Sequence, residues 1–176
     1  MKSFRIVAIV TLVCAMVVLT GAQNAAPTPP PTPGAEVKKL DMFAGNWKSE
    51  GESKPSPLGP GGKFSETNHN EWMGGGFFLV SHGTETSSEG NGTSLGIFGY
   101  DKDKKVYTFD EFSSDGSTVH AKGTVAGDTW TWISEGPMSG RFTVKVLSPT
   151  AYTFKFETSK DGSWSTLEEG KATKTK

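Results

Sequence analysis

An all-β fold, a ten-stranded antiparallel up-and-down barrel with a short N-terminal helix, is what this sequence predicts, and three observations carry the expectation. The 176 residues include 22 glycines and 11% aromatic residues, without long Ala, Leu or Glu runs, a composition that suits short strands and tight turns better than a helical bundle. From Asn91 onward turn signals recur about 11 to 13 residues apart, as in a meander of consecutive hairpins. The segments between them alternate: Phe142, Val144 and Val146, then Tyr152, Phe154 and Phe156, face one way, with Lys145, Lys155 and Glu157 opposite. A sheet with one apolar face and no long helix to cover it must close on itself or split into a sandwich; closure is the expectation.

The elements follow in order. Residues 1–22 read as a cleaved signal peptide: Lys2 and Arg5 precede a fourteen-residue apolar run, Ile6 to Leu19, and Thr20-Gly21-Ala22 supplies the small residues of a cleavage site. That run is shorter than the roughly 20 residues of a membrane span, so the expected product is exported, periplasmic or secreted, with no membrane segment in its mature form. The only cysteine, Cys14, lies inside the run. Val13 before it does not suit a lipoprotein site, and the mature chain would have no disulfide. Residues 23–36, with Pro27, Pro29, Pro30, Pro31 and Pro33, form the expected disordered, proline-rich tether. The domain proper is expected over residues 37–176.

Val37, Leu40 and Phe43 recur every three residues, which predicts about two helical turns ahead of Gly45 that could plug one barrel end. The strands that follow are delimited by Gly61-Gly62, Gly74-Gly75, Asn91-Gly92, Asp101 to Lys104, Asp115-Gly116, Gly127-Asp128, Gly136-Pro137, Ser148-Pro149 and Asp161-Gly162. Two-residue turns fix register. Centred on Asp161-Gly162, they pair Phe156 with Leu167 and Lys155 with Glu168, and leave Glu169 inward opposite Phe154. Centred on Asp115-Gly116, they pair Phe112 with Val119 and Asp110 with Ala121 inside, and Glu111 with His120 outside. Around Gly74-Gly75, Trp72, Phe77 and Leu79 share a face with Asn68, Asn70 and Ser81, while Thr67 comes opposite His82. Trp130 and Trp132 share one face of their strand, for packing or for a ligand.

Gly45-Asn46-Trp47, after a short helix and at the start of the first strand, resembles the Gly-x-Trp signature of lipocalins and related calycin barrels. Trp72-Met73-Gly74-Gly75-Gly76-Phe77, Gly96-Ile97-Phe98-Gly99-Tyr100-Asp101 with Lys105 and Tyr107, and Asp161-Gly162-Ser163-Trp164 together look like a bacterial secreted family, domain of unknown function fifteen-seventy-nine. The resemblance covers roughly Leu40 to Thr173 and implies a lipocalin-like barrel, but no activity. Lipocalins also set a late-strand arginine over the opening tryptophan, and Arg141 is the one arginine left for that role.

Charge and motifs exclude several functions. The formal net charge is −1, or −3 once Lys2 and Arg5 are removed, and no basic stripe exists for nucleic acid. His69, His82 and His120 lack the short spacing of a metal set; His69 and His82 with Glu71 come nearest, and separate surface histidines are the plainer reading. No cofactor is expected. Haem is the alternative, since calycin barrels resembling nitrobindins hold it through a rim histidine, with His120 the candidate. No nucleophile elbow or phosphate loop is present.

What remains is non-covalent binding of a small apolar or amphipathic ligand inside the barrel. Trp72, Phe77, Leu79 and Phe154 would give apolar contact, and Asn68, Asn70, Asp110 and Glu169 polar contact. Two alternatives stay open: an enzyme using inward Asp110 or Glu169 as acid or base, and a filled barrel acting through its surface. Oligomeric state is not legible.

Overall fold

The computed structural model describes residues 29–56, 59–88, 90–135, 139–160 and 163–176. The expected export segment, the first part of the tether, and the turns at Gly136-Pro137 and Asp161-Gly162 lie outside the described residues. Residues Thr32–Lys176 make one compact unit.

The helical segment starts two residues before Val37. Helix α1 (Ala35–Lys38) runs on as a 3-10 turn, Lys39–Met42. Three residues per turn is the 3-10 repeat, which is why Val37, Leu40 and Phe43 all land on the buried side. Ten strands follow: β1 (Gly45–Ser53), β2 (Gly62–Trp72), β3 (Leu79–Ser87), β4 (Gly90–Asp101), β5 (Val106–Ser113), β6 (Thr118–Ala126), β7 (Thr129–Ser134), β8 (Gly140–Ser148), β9 (Ala151–Lys160) and β10 (Ser163–Lys174). Every neighbour in sequence is a neighbour in the sheet, and β1 pairs with β10 from Trp47 opposite Lys174 to Ser53 opposite Glu168, so the barrel is closed and antiparallel. Closure leaves no strand edge unpaired.

One end is filled. Leu40 and Leu79 are completely buried there, Phe43 stacks on Phe98 at 5.5 Å and meets Trp130 edge-on at 5.1 Å, and Tyr107 packs on Trp130 at 4.8 Å. Tyr107 Oη donates to Glu36 Oε2 at 2.8 Å, which ties the helix to the rim. Trp47, 2% exposed, donates from Nε1 to the Phe43 carbonyl at 2.8 Å and lies 4.8 Å from the Tyr152 ring. The cation over Trp47 is Lys174, 5.2 Å from the ring, whereas Arg141 sits on the outer wall 4.3 Å over Trp164. Arg141 therefore does not take the late-strand position expected of it, because β8 is far from β1 around the barrel and β10 supplies the neighbour.

Three hairpins depart from the expected register. Between β5 and β6 the loop has three residues, Ser114 to Gly116, with Gly116 at φ 88° and its N–H on the Ser113 carbonyl. A left-handed third residue is the usual way to close such a loop. The extra residue slips the pairing by one, so Asp110 faces His120 and Glu111 faces Val119. Between β9 and β10 pairing follows the two-residue expectation from Lys160 opposite Ser163 to Glu157 opposite Thr166, then a bulge at Leu167 shifts it, setting Phe156 opposite Glu168 and Lys155 opposite Glu169. Both slips are odd, and an odd slip exchanges the two faces. Between β2 and β3 the loop is longer than expected, with the Met73 N–H on the Phe78 carbonyl. That slip is even: His82 meets His69 in place of Thr67, and the inner face keeps Asn68, Asn70, Trp72, Leu79 and Ser81. The turn expected at Asn91-Gly92 falls earlier, after Ser87, because Gly90 at φ 124° bends the chain and Asn91 and Gly92 already pair with Thr86 and Glu85.

Candidate functional site

The end opposite the helix is hollow. A cavity of about 590 Å³ opens there between Lys54, Ser56, Gly59, Gly61, Ser87, Ser88 and Asp115, within the usual span of small-molecule sites. Its depth follows from strand parity, since every second residue points in.

The lower wall is aromatic. Phe43, Phe98, Phe109, Trp132 and Tyr152 line it, with Phe98 4.4 Å from Phe109 and 5.7 Å from Trp132. Trp132 can lie flat against β6 because Gly123 stands opposite: a Cβ there would come within 2.5 Å of the indole. Above these rings the wall turns polar, with Asn68, Asn70, Ser81, Ser94 and Ser134. Asn70 is 8% exposed; its Nδ2 donates to the Phe43 carbonyl at 2.7 Å, and its Oδ1 is buried with no hydrogen-bond partner.

Nearer the mouth the wall is acidic. Glu66, Glu85, Glu111, Asp115 and Glu168 line it, and Lys54 is the one cation among the described residues there. Glu66 Oε1 accepts from Asn68 Nδ2 at 2.8 Å, and Glu168 Oε1 from Ser53 Oγ at 3.2 Å. Burial, then the charges of Glu66 and Glu85, push the Glu111 carboxyl up to about 7. Burial likewise raises Glu66 against the Asn68 hydrogen bond, and raises Glu168 against that of Ser53. Withdrawal from water penalises the ionised form and neighbouring carboxylates add to it. Tyr152 is raised for the same two reasons, burial first and the Glu66 charge second.

Of the residues expected to touch a ligand, Asn68 and Asn70 line this cavity. Leu79 is completely buried in the core cluster and Phe154 packs between Phe64 and Phe142, both pointing inward but outside the cavity lining. Trp72 is half-buried at the helix end, its Nε1 donating to Asp41 Oδ1 at 2.7 Å, and Phe77 belongs to the β2–β3 turn. Asp110 and Glu169 are corrected to the outer face by the two odd slips: Asp110 Oδ1 lies 2.6 Å from His120 Nδ1, and Glu169 is exposed opposite Lys155. Their places inside are taken by Glu111 and Glu168. Glu66 was open to inference from parity, being two residues before Asn68 on one face. Glu111 and Glu168 depended on a left-handed glycine and a bulge.

The histidines are all outside. His69 and His82 stand opposite one another, with His69 Nδ1 2.7 Å from Asn46 Oδ1 and Nε2 3.7 Å from Glu71. Among the described residues no three His, Cys, Asp or Glu side chains group to hold a metal. No histidine lines the cavity, so the described wall does not offer haem the rim histidine that the nitrobindin-like alternative needs, and His120 is engaged by Asp110.

A family model described as "Protein of unknown function (DUF1579)" matches residues 32–174. No curated protein matches the chain. Similar solved structures include Rv2717c from M. tuberculosis, with a TM-score of 0.58 at 10% identity over 81% of this chain and 99% of that one. A de novo designed fluorescence-activating beta barrel is also similar, with a TM-score of 0.45 at 19% identity over 77% of this chain and 96% of that one. The first is a likeness of fold.

Proposed function

We propose that this chain, which belongs to the DUF1579 family, is a calycin-like binding protein whose barrel takes a small apolar or amphipathic molecule non-covalently through its open end. The observation that carries the reading is the cavity of about 590 Å³ with a ring-lined lower wall and a polar upper one. An apolar body gains from leaving water against Phe98, Phe109 and Trp132, and a polar end is met by Asn68 and the serines. Export to the periplasm or medium, supported by the Lys2 to Ala22 pattern, would place the binder where it meets extracellular solutes.

The test is titration with the neutral, environment-sensitive dye Nile red alongside mass spectrometry of small molecules that co-purify with folded protein. Saturable dye binding that Ser94→Trp abolishes by filling the cavity supports the reading. Absence of both dye binding and any co-purifying molecule overturns it. Acid–base catalysis by Glu111 is the second reading, favoured by one observation: its carboxyl is pushed up to about 7 inside the cavity, where a group can both give and take a proton near neutrality. Recovery of a co-purifying molecule chemically unchanged after prolonged incubation would count against it.

A further inference from the structure

We infer that the ligand of this cavity is an organic cation, a protonated amine carrying an apolar body, an assignment that rests on the binding reading above. The outer and inner carboxylates differ in how they are neutralised. On the outer face, Glu157 has Arg141 Nη2 at 2.9 Å and Lys155 Nζ at 2.7 Å, and Glu50 has Lys48 Nζ at 2.7 Å. Inside, Glu66, Glu111 and Glu168 form no ion pair with a cation among the described residues, although they come from β2, β5 and β10 to line one space. Glu157, itself buried, thus has two cations beside it, whereas the three inner carboxylates leave water with no cation in its place.

A second, independent observation points the same way. Asn70 cannot turn its amide round without losing the Nδ2 bond to the Phe43 carbonyl, so the group left without a partner is Oδ1, an acceptor. A buried acceptor without a donor is costly, on the order of 1–3 kcal/mol for an ordinary polar group. The unmet needs of the wall therefore agree in sign: carboxylates without a cation and an amide oxygen without an N–H or O–H. A donor-rich, positively charged group supplies what the carboxylates lack, and its N–H groups are of the kind that the amide oxygen lacks. Phe109, Trp132 and Tyr152 in the same wall are aromatic side chains of the kind that attract an ammonium and cover its apolar body. A bare metal ion fits less well, since hard cations draw several oxygens to within about 2.6 Å of one point and no three such side chains gather among the described residues. A fatty or aromatic carboxylate would add like charge to a wall that already has five acids against Lys54.

The experiment uses calorimetric titration of the barrel with phenylbutylamine, phenylbutanol and phenylbutanoate, which share one body and differ in head group. The amine is expected to bind at least about tenfold more tightly than the alcohol, as one partly desolvated charge contact can supply, and the carboxylate most weakly. Replacing Glu66→Gln and Glu111→Gln together should erase the amine's advantage over the alcohol; if that pair fails to fold, Glu168→Gln alone should shrink the advantage. Equal binding of amine and alcohol, or preference for the carboxylate, overturns the cationic assignment and leaves the cavity reading standing. Binding of none of the three, with no dye binding either, removes both.

Discussion

The two ends of this barrel are made from the same ten strands and the same inward alternation, yet one is packed and the other hollow. At the helix end the inward rows hold Leu79, Tyr107, Trp130 and Trp47, and a short helix adds Leu40 and Phe43, so large side chains meet across the axis. Toward the mouth the same strands carry Ser81, Ser94, Ser134 and glutamates, which are too short or too hydrophilic to fill the space. A barrel of ten strands is wide enough that filling it needs both big residues and a plug. Packing and open space thereby fall to different halves, and the proposed binding would use the second. Buried area holds the closed end, while the open half keeps polar groups only partly compensated.

If that division is right, the largest stability loss comes from the closed end. Trp47→Ala removes a buried indole and its bond to the Phe43 carbonyl; urea denaturation should report a loss of about 3–5 kcal/mol, with Nile red affinity unchanged in the fraction that stays folded. An unaltered urea midpoint would break the comparison.

The hollow half should show a pH signature of smaller size. The Glu111 carboxyl ionises near 4.5 in an unfolded chain but only near about 7 in the folded one. Between those values the folded state holds more protons, so stability is greatest below the lower value and falls as pH rises to the upper one, by about 3 kcal/mol. Glu66 and Glu168, also raised, act in the same direction. Glu111→Gln should flatten part of that slope: little change in acid, and higher stability than the parent above neutrality, measured by thermal melts across pH. A variant less stable than the parent in alkali would contradict the burial of this carboxyl.

The smallest effect is expected at the border of the plug. Trp72→Phe removes the indole N–H bond to Asp41 while keeping the ring, and should cost about 1 kcal/mol without altering the pH slope.

Much of the architecture was legible because glycine turns and alternation are local signals. The turn at Gly127-Asp128, the plug spacing of Val37, Leu40 and Phe43, and the inward pair Trp130 and Trp132 all follow from residues close in sequence. The cavity was legible in part, and parity explains which part. At β2 the loop is longer than a two-residue turn by an even number, so Asn68 and Asn70 keep their face. On β5 and β10 the errors were odd, so Asp110 and Glu169 exchanged places with Glu111 and Glu168. A three-residue loop and a two-residue loop can share the same Asp-Gly letters, and a bulge leaves no residue-type signature at Leu167. The cation over Trp47 is Lys174 where the lipocalin resemblance implies an arginine, and any late-strand cation can sit above an indole.

The seam between β1 and β10 has a consequence for assembly in time. The first and last strands of the domain are mutual partners, so the loop closed by that contact spans nearly the whole domain, and such distant pairings form slowly. Until the segment around Lys174 reaches β1, the folding sheet keeps two unsatisfied margins and encloses nothing. A ligand present during folding would find its container only at the final step.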